Sequence, residues 1–106
     1  MSFQVEYTPL SKADLESLDK SVQKVVRISI DKVSKNPFPK SEGGYGEPLG
    51  HKHGKNLTGC LKIKLLKLGI RIVYKIIREG DIIRIIVIAM RADDEVYEIA
   101  NNRIEG

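Results

Sequence analysis

The stretch 60-CLKIKLLKLGIRIVYKI-76 decides how this chain is built. Apolar and polar residues alternate through it, the period of a β-strand, in which successive side chains point to opposite faces. Gly69 interrupts the run, which therefore reads as two antiparallel strands joined by a two-residue hairpin loop next to that glycine. In such a hairpin paired positions sum to an odd number, so even-numbered residues of one strand share a face with odd-numbered residues of the next. Lys62, Lys64, Arg71, Val73 and Lys75 then lie together. Leu61, Ile63, Leu65, Ile70, Ile72, Tyr74 and Ile76 make the opposite face, which is apolar throughout and is expected to lie under helices. The cations are expected to point away from those helices.

Working outward toward the C-terminus, a third apolar run at 82–90 follows the turn residues Glu79-Gly80-Asp81. Strands over 60–67, 70–78 and 82–90 form an antiparallel meander. Asp93 or Asp94 caps a last helix whose apolar positions Val96, Tyr97, Ala100 and Ile104 have helical spacing. In the other direction, residues 36–56 hold three prolines and five glycines with no periodicity, and read as a long loop. Its end, HKHGK, is not a phosphate-binding P-loop, because the glycine spacing is wrong and Asn56 stands where Ser or Thr is needed. His51 and His53 have no carboxylate partner in that loop and read as surface residues.

Before the loop, Leu15, Leu18, Val22, Val25, Val26, Ser29 and Val33 recur at three- and four-residue spacing, an amphipathic helical stripe. Residues 18–21 allow it to break into a helical hairpin, with Asp19 or Ser21 as an N-cap, and Asn36-Pro37 stops it. The opening FQVEYT alternates and precedes Pro9, which suits a short first strand. The expected fold is α+β, a small antiparallel sheet of order β-α-α-β-β-β-α with helices packed on one face. Residues 1–106 are expected to form one domain.

Composition agrees with this size. With 42% hydrophobic and 30% charged residues, 106 residues can bury a modest core without metal or disulfides. Eighteen Lys and Arg against 14 Asp and Glu give a formal net charge of +4, which suits an anionic partner. Cys60 is the sole cysteine and reads as a small buried apolar residue. No basic-plus-apolar leader opens the sequence, so the cytoplasm is the expected compartment. The run at 82–90 is too short to span a bilayer and contains Arg84; no membrane is expected as a partner.

The sign of the lysine face needs explaining. A solvated sheet face is often charged, yet like charges facing each other cost ~0.2–1 kcal/mol per pair, and an ordinary surface mixes in acids to relieve this. No acidic residue occurs between Cys60 and Lys75. A cluster that accepts such repulsion has an anion to hold, and phosphate is the common one.

The run LKIKLLKLGIRIVYKI, followed by IIVIAMRADDEVYEIANNRI, resembles the RelE branch of the RelE/ParE toxin superfamily. The specific part begins near Leu57 and covers roughly the second half; the first half fits only in layout. The resemblance implies a toxin of a toxin-antitoxin pair, a ribosome-dependent endoribonuclease that cuts messenger RNA and is silenced by a cognate antitoxin. It implies catalytic roles for Lys62 and Lys64 from the K-x-K pair, Arg71 from G-x-R-x-V-Y, Arg91 from the late arginine, and Tyr97 from E-V-Y. The gyrase-poisoning ParE branch generally lacks this full set and is the alternative, alongside a module that holds nucleic acid without cutting it. Met90, Ala92, Asp93 and Asp94 make the segment around Arg91 less basic than in some RelE proteins.

The set suits metal-independent RNA cleavage, in which the 2′-hydroxyl attacks the adjacent phosphate, with no cofactor. Lys62 is the base candidate, because Lys64 and Arg71 disfavour its charged form and are expected to lower its pKa. Lys64 and Arg71 clamp phosphate oxygens. By the resemblance, Arg91 serves the leaving oxygen. Tyr97 offers a ring for stacking a base, although its spacing with Val96 and Ala100 fits a core position equally. A turn at Glu79-Gly80 puts odd positions of the last strand on the apolar side, so Arg91 reaches the basic face only if a bulge or the strand's end re-aims it.

Overall fold

The computed structural model of the protein describes residues 2–52 and 55–105. Strands β3 (Lys55–Leu65) and β4 (Ile70–Ile77) form the expected hairpin. Leu65 pairs with Ile70, Lys64 with Arg71 and Ile63 with Ile72, so the register and both faces are those the alternation dictates. The connection runs over 66–69, two residues longer than the expected loop and both taken from the end of β3, with no change of parity. Gly69 closes it at φ 66°, a left-handed conformation that costs a residue without Cβ little.

Strand β5 (Ile82–Ala89) continues the meander antiparallel to β4. Strand β1 (Gln4–Tyr7) pairs with β5 in parallel, and β2 (Glu47–Lys52) pairs with β3 antiparallel. The sheet is thus mixed, five strands in the order β1-β5-β4-β3-β2. The α+β class stands; the extra strand lies where the sequence reads as loop. Pro48 and Gly50 erase its alternation, and both are tolerated because β2 is an edge strand whose register shifts between them. His53 and Gly54 lie outside the described residues, as does the side chain of His51.

Helix α1 (Pro9–Glu16) starts on proline, with the Thr8 hydroxyl accepting from the Ser11 amide at 3.1 Å. Helix α2 (Lys20–Ser34) begins after Asp19, at the expected break. Leu15 of α1 and Val26, Ile30 and Val33 of α2 pack on Leu61, Ile70, Ile72, Tyr74, Ile83 and Ile85, the apolar face read from the sequence. The proline-glycine segment folds against the same core: the Tyr74 hydroxyl donates to the Pro37 carbonyl at 2.7 Å. Gly46 permits that approach, since a Cβ there would lie 2.3 Å from the Tyr74 hydroxyl and 2.5 Å from Leu61 Cδ2.

Helix α3 (Asp93–Glu105) covers the other face. Val96, Tyr97 and Ala100 bury against Leu49, Leu57, Cys60, Val73 and Val87, a second core. This corrects the expectation that all helices pack on one side. Strand β5 carries the physical reason: IIRIIVIA is apolar at nearly every position, the composition of a strand buried on both faces. Burial also pushes the Cys60 thiol pKa up, in keeping with its reading as an apolar residue.

A bulge in β5 settles the direction of the chain beyond it. Val73 pairs with Val87 but Tyr74 with Ile85, which leaves Ile86 as the extra residue. Odd positions therefore switch faces: Ile85 lies in the first core, Val87 in the second, and Ala89 opposite Arg71. Arg103 and Asp14 service the bulge. Arg103 donates to Ile86 O at 2.8 Å and, through both terminal nitrogens, to Asp14 at 2.6 and 3.1 Å; Asp14 also accepts from the Ile88 amide at 3.0 Å. Among the described residues, no helix is long and apolar enough to cross a membrane.

Candidate active site

Lys62 and Lys64 leave the same face of β3, and Lys64 is paired with Arg71 across the ladder. The repulsion this implies is relieved from outside the hairpin. Asp93, the first residue of α3, is delivered over the lysine face by the turn that follows the bulged strand. Its Oδ1 accepts from Arg71 Nε at 2.6 Å, while Oδ2 lies 3.1 Å from Lys64 Nζ and 3.4 Å from Lys62 Nζ. Three cations from two strands thus converge on one carboxylate. Burial alone would raise the Asp93 pKa; hydrogen bonds from Arg71 and Lys64, with the charge of Lys62, outweigh it and lower the pKa from 3.8 to about 2.

The expectation that the cations stand uncovered fails at Lys62, which is only 4% exposed beneath α3. Its ammonium donates to the Tyr97 hydroxyl at 2.5 Å. Burial acts to lower the Lys62 pKa, but Tyr97, Asp93 and Glu47 together raise it above the ordinary lysine value. That is opposite to the expected lowering by Lys64 and Arg71, because the Tyr97 hydroxyl takes the ammonium's hydrogen bond and, after it, the Asp93 carboxylate stands among the three cations. With α3 seated, Lys62 is a held ammonium and not a base. Lys64 and Arg71 keep partial access to solvent, and Lys75 is exposed further along the same face.

Tyr97 is buried in the second core with its hydroxyl on Lys62, so the core position and the site position coincide. Arg91 joins the cluster through its backbone: its carbonyl accepts from an Arg71 terminal nitrogen at 2.7 Å. Its side chain is exposed and lies 3.2 Å from Glu95, one helical turn on. The bulge turns the chain toward the basic side, so the Arg91 backbone joins the cluster while its guanidinium pairs with Glu95.

Asp93 is the member of this cluster that sequence reasoning reads only as a helix cap. The signal for it was the absence of any acid between Cys60 and Lys75, which demands a counter-charge from elsewhere. Next to the cluster, a groove of about 350 Å³ runs between α2 and the end of β3, lined by Lys32, Lys40, Tyr45, Glu47, Lys62 and Lys64 among others.

This fold has counterparts. A curated Escherichia coli protein described as a putative RelE-like toxin is 29% identical over 104 residues, covering 98% of this chain and 99% of its own. A mutant Escherichia coli RelE toxin in the free state superposes with a TM-score of 0.76 at 24% identity, over 98% of this chain and 99% of that one. A chain of the Mycobacterium tuberculosis RelBE2 toxin-antitoxin complex gives a TM-score of 0.67 at 23% identity, over 88% and 95%. No protein-family model matches the chain. The fold is that of the RelE toxins. By sequence and fold together, the chain is similar to the RelE-like toxins.

Proposed function

We propose that this protein is the toxin of a toxin-antitoxin pair and acts as an endoribonuclease on ribosome-bound messenger RNA in the cytoplasm. The observation that carries the reading is the convergence of Lys62, Lys64 and Arg71 on one pair of carboxylate oxygens, a built anion site. A phosphodiester offers the same paired oxygens, and the planar guanidinium of Arg71 suits them.

The 2′-hydroxyl loses its proton to a base, its oxygen bonds to phosphorus, and the bond from phosphorus to the 5′-oxygen breaks. The departing oxygen takes up a proton, leaving a 2′,3′-cyclic phosphate and a free 5′-hydroxyl. Lys64 and Arg71 hold the extra charge on the phosphorane, the contribution expected to be largest. Lys62 is the base once Tyr97 and Asp93 leave it, since Lys64 and Arg71 then disfavour its ammonium form. Arg91 serves the leaving oxygen, and Tyr97, released with α3, stacks on a base. Side chains alone meet each demand of this scheme, without metal or cofactor. The resemblance to RelE-type toxins supports ribosome-bound messenger RNA as the substrate.

A cognate antitoxin holds the activity in check. A segment rich in acidic and apolar residues that folds as it binds complements the basic site and can cover or displace α3. Inducible expression with primer-extension mapping of transcripts tests the function: cuts appear in translated regions, vanish when translation initiation is blocked, and are lost in the Lys62→Ala, Lys64→Ala double variant. Intact transcripts during growth arrest would instead favour a ParE-like toxin acting through protein contacts.

A further inference from the structure

We infer that Asp93 occupies the phosphate position of the site, and is thereby the residue that sets how tightly this protein binds the phosphodiester of its substrate. The inference deepens the proposed function and rests on the lysine cluster being the phosphate site. The contact set is that of an oxyanion ligand: one oxygen on Arg71 Nε at 2.6 Å, the other shared by Lys64 at 3.1 Å and Lys62 at 3.4 Å. Asp93 is the carboxylate that bridges all three cations. A substrate phosphate that reaches Arg71 and Lys64 must therefore take the place of this carboxylate.

Displacement is available to Asp93 because of where it sits. It is the first residue of α3 and remains partly exposed, so its side chain can leave while the body of the helix stays on the second core. The far end of α3 is tied separately, by Arg103 to Asp14 and to Ile86 O. Departure of the carboxylate also removes one of the charges that stabilise the Lys62 ammonium.

The test compares the full chain with Asp93→Asn, which keeps the size of the residue and a side chain suited to a helix start. Inorganic phosphate is titrated into each by isothermal calorimetry. Asp93→Asn is expected to bind phosphate tighter by on the order of tenfold, the effect of removing a competing charge-assisted contact. The gain should disappear when Lys64→Ala and Arg71→Ala are added. Equal affinity in wild type and Asp93→Asn overturns the inference. Should Asp93→Asn not fold, phosphate is titrated into the labelled wild-type chain and followed by amide NMR. Shifts centred on residues 92–95 support displacement, and their absence overturns it. Primer extension on ribosomes reads the proposed function separately. Cuts without a phosphate gain defeat the inference and leave the nuclease reading; a gain without cuts does the reverse.

Discussion

Asp93 belongs by sequence position to a helix start and by contact to the lysine strands, and its charge state couples the two. Folding lowers its pKa from 3.8 to about 2, so its pairing stabilises the fold fully above the ordinary value and is lost as pH falls through about 2. Wild type should therefore be more stable than Asp93→Asn near neutral pH, with the gap closing between about pH 4 and pH 2. Urea unfolding of both proteins at several pH values measures this. A gap that stays constant across the window would show that the cations do not hold the carboxylate. At the same scale, Lys62 shows how one residue serves two ends: its stem lies in the second core while its ammonium bridges Tyr97 and Asp93.

At the scale of elements, α3 is fixed at both ends by charged groups and in the middle by apolar packing. Its last turn is held by Arg103, whose guanidinium satisfies the bulge carbonyl of Ile86 and the Asp14 carboxylate together. Beyond Tyr7, which pairs with Ile85, β1 no longer covers the edge of β5, and Asp14 takes over by accepting from the Ile88 amide. Arg103→Ala leaves a bulge carbonyl and a half-buried carboxylate short of a donor. The expected cost is about 1–3 kcal/mol, the range for losing hydrogen bonds to a charged group. Chemical denaturation measures it, and hydrogen exchange should show faster opening of the α3 amides than of α2. Unchanged stability would mean that water replaces the guanidinium at the bulge.

For the whole molecule, the decisive feature is a sheet sandwiched between two unequal layers, with the candidate site under the thinner one. Helix α3 is a terminal element, yet it supplies Val96, Tyr97 and Ala100 to the second core. Burying a large apolar side chain stabilises by ~1.5–3 kcal/mol, and a domain of this size has only ~5–15 kcal/mol in total. A chain ended at Ala92 should therefore expose Cys60, Val73 and Val87, bind a hydrophobic dye and lose its cooperative thermal transition. A sharp melt like that of the full chain would show that the first core suffices alone. It follows that a partner displacing α3 must replace its apolar contacts as well as neutralise the cations.

The hairpin register and both of its faces were legible in 60-CLKIKLLKLGIRIVYKI-76, because parity around a turn is a local property that needs no other element. The break at Asp19, the first strand and the last helix were legible for the same reason. Strand β2 was not, since Pro48 and Gly50 remove the alternation and only the waiting edge of β3 makes the segment extended. The meeting of Lys62, Lys64 and Arg71 was readable from residue types. What they meet was decided by tertiary structure: one extra residue at Ile86 reverses the faces of β5, turns the chain toward the basic side, and sets Asp93 and Tyr97 of α3 over lysines that the sequence left open to solvent.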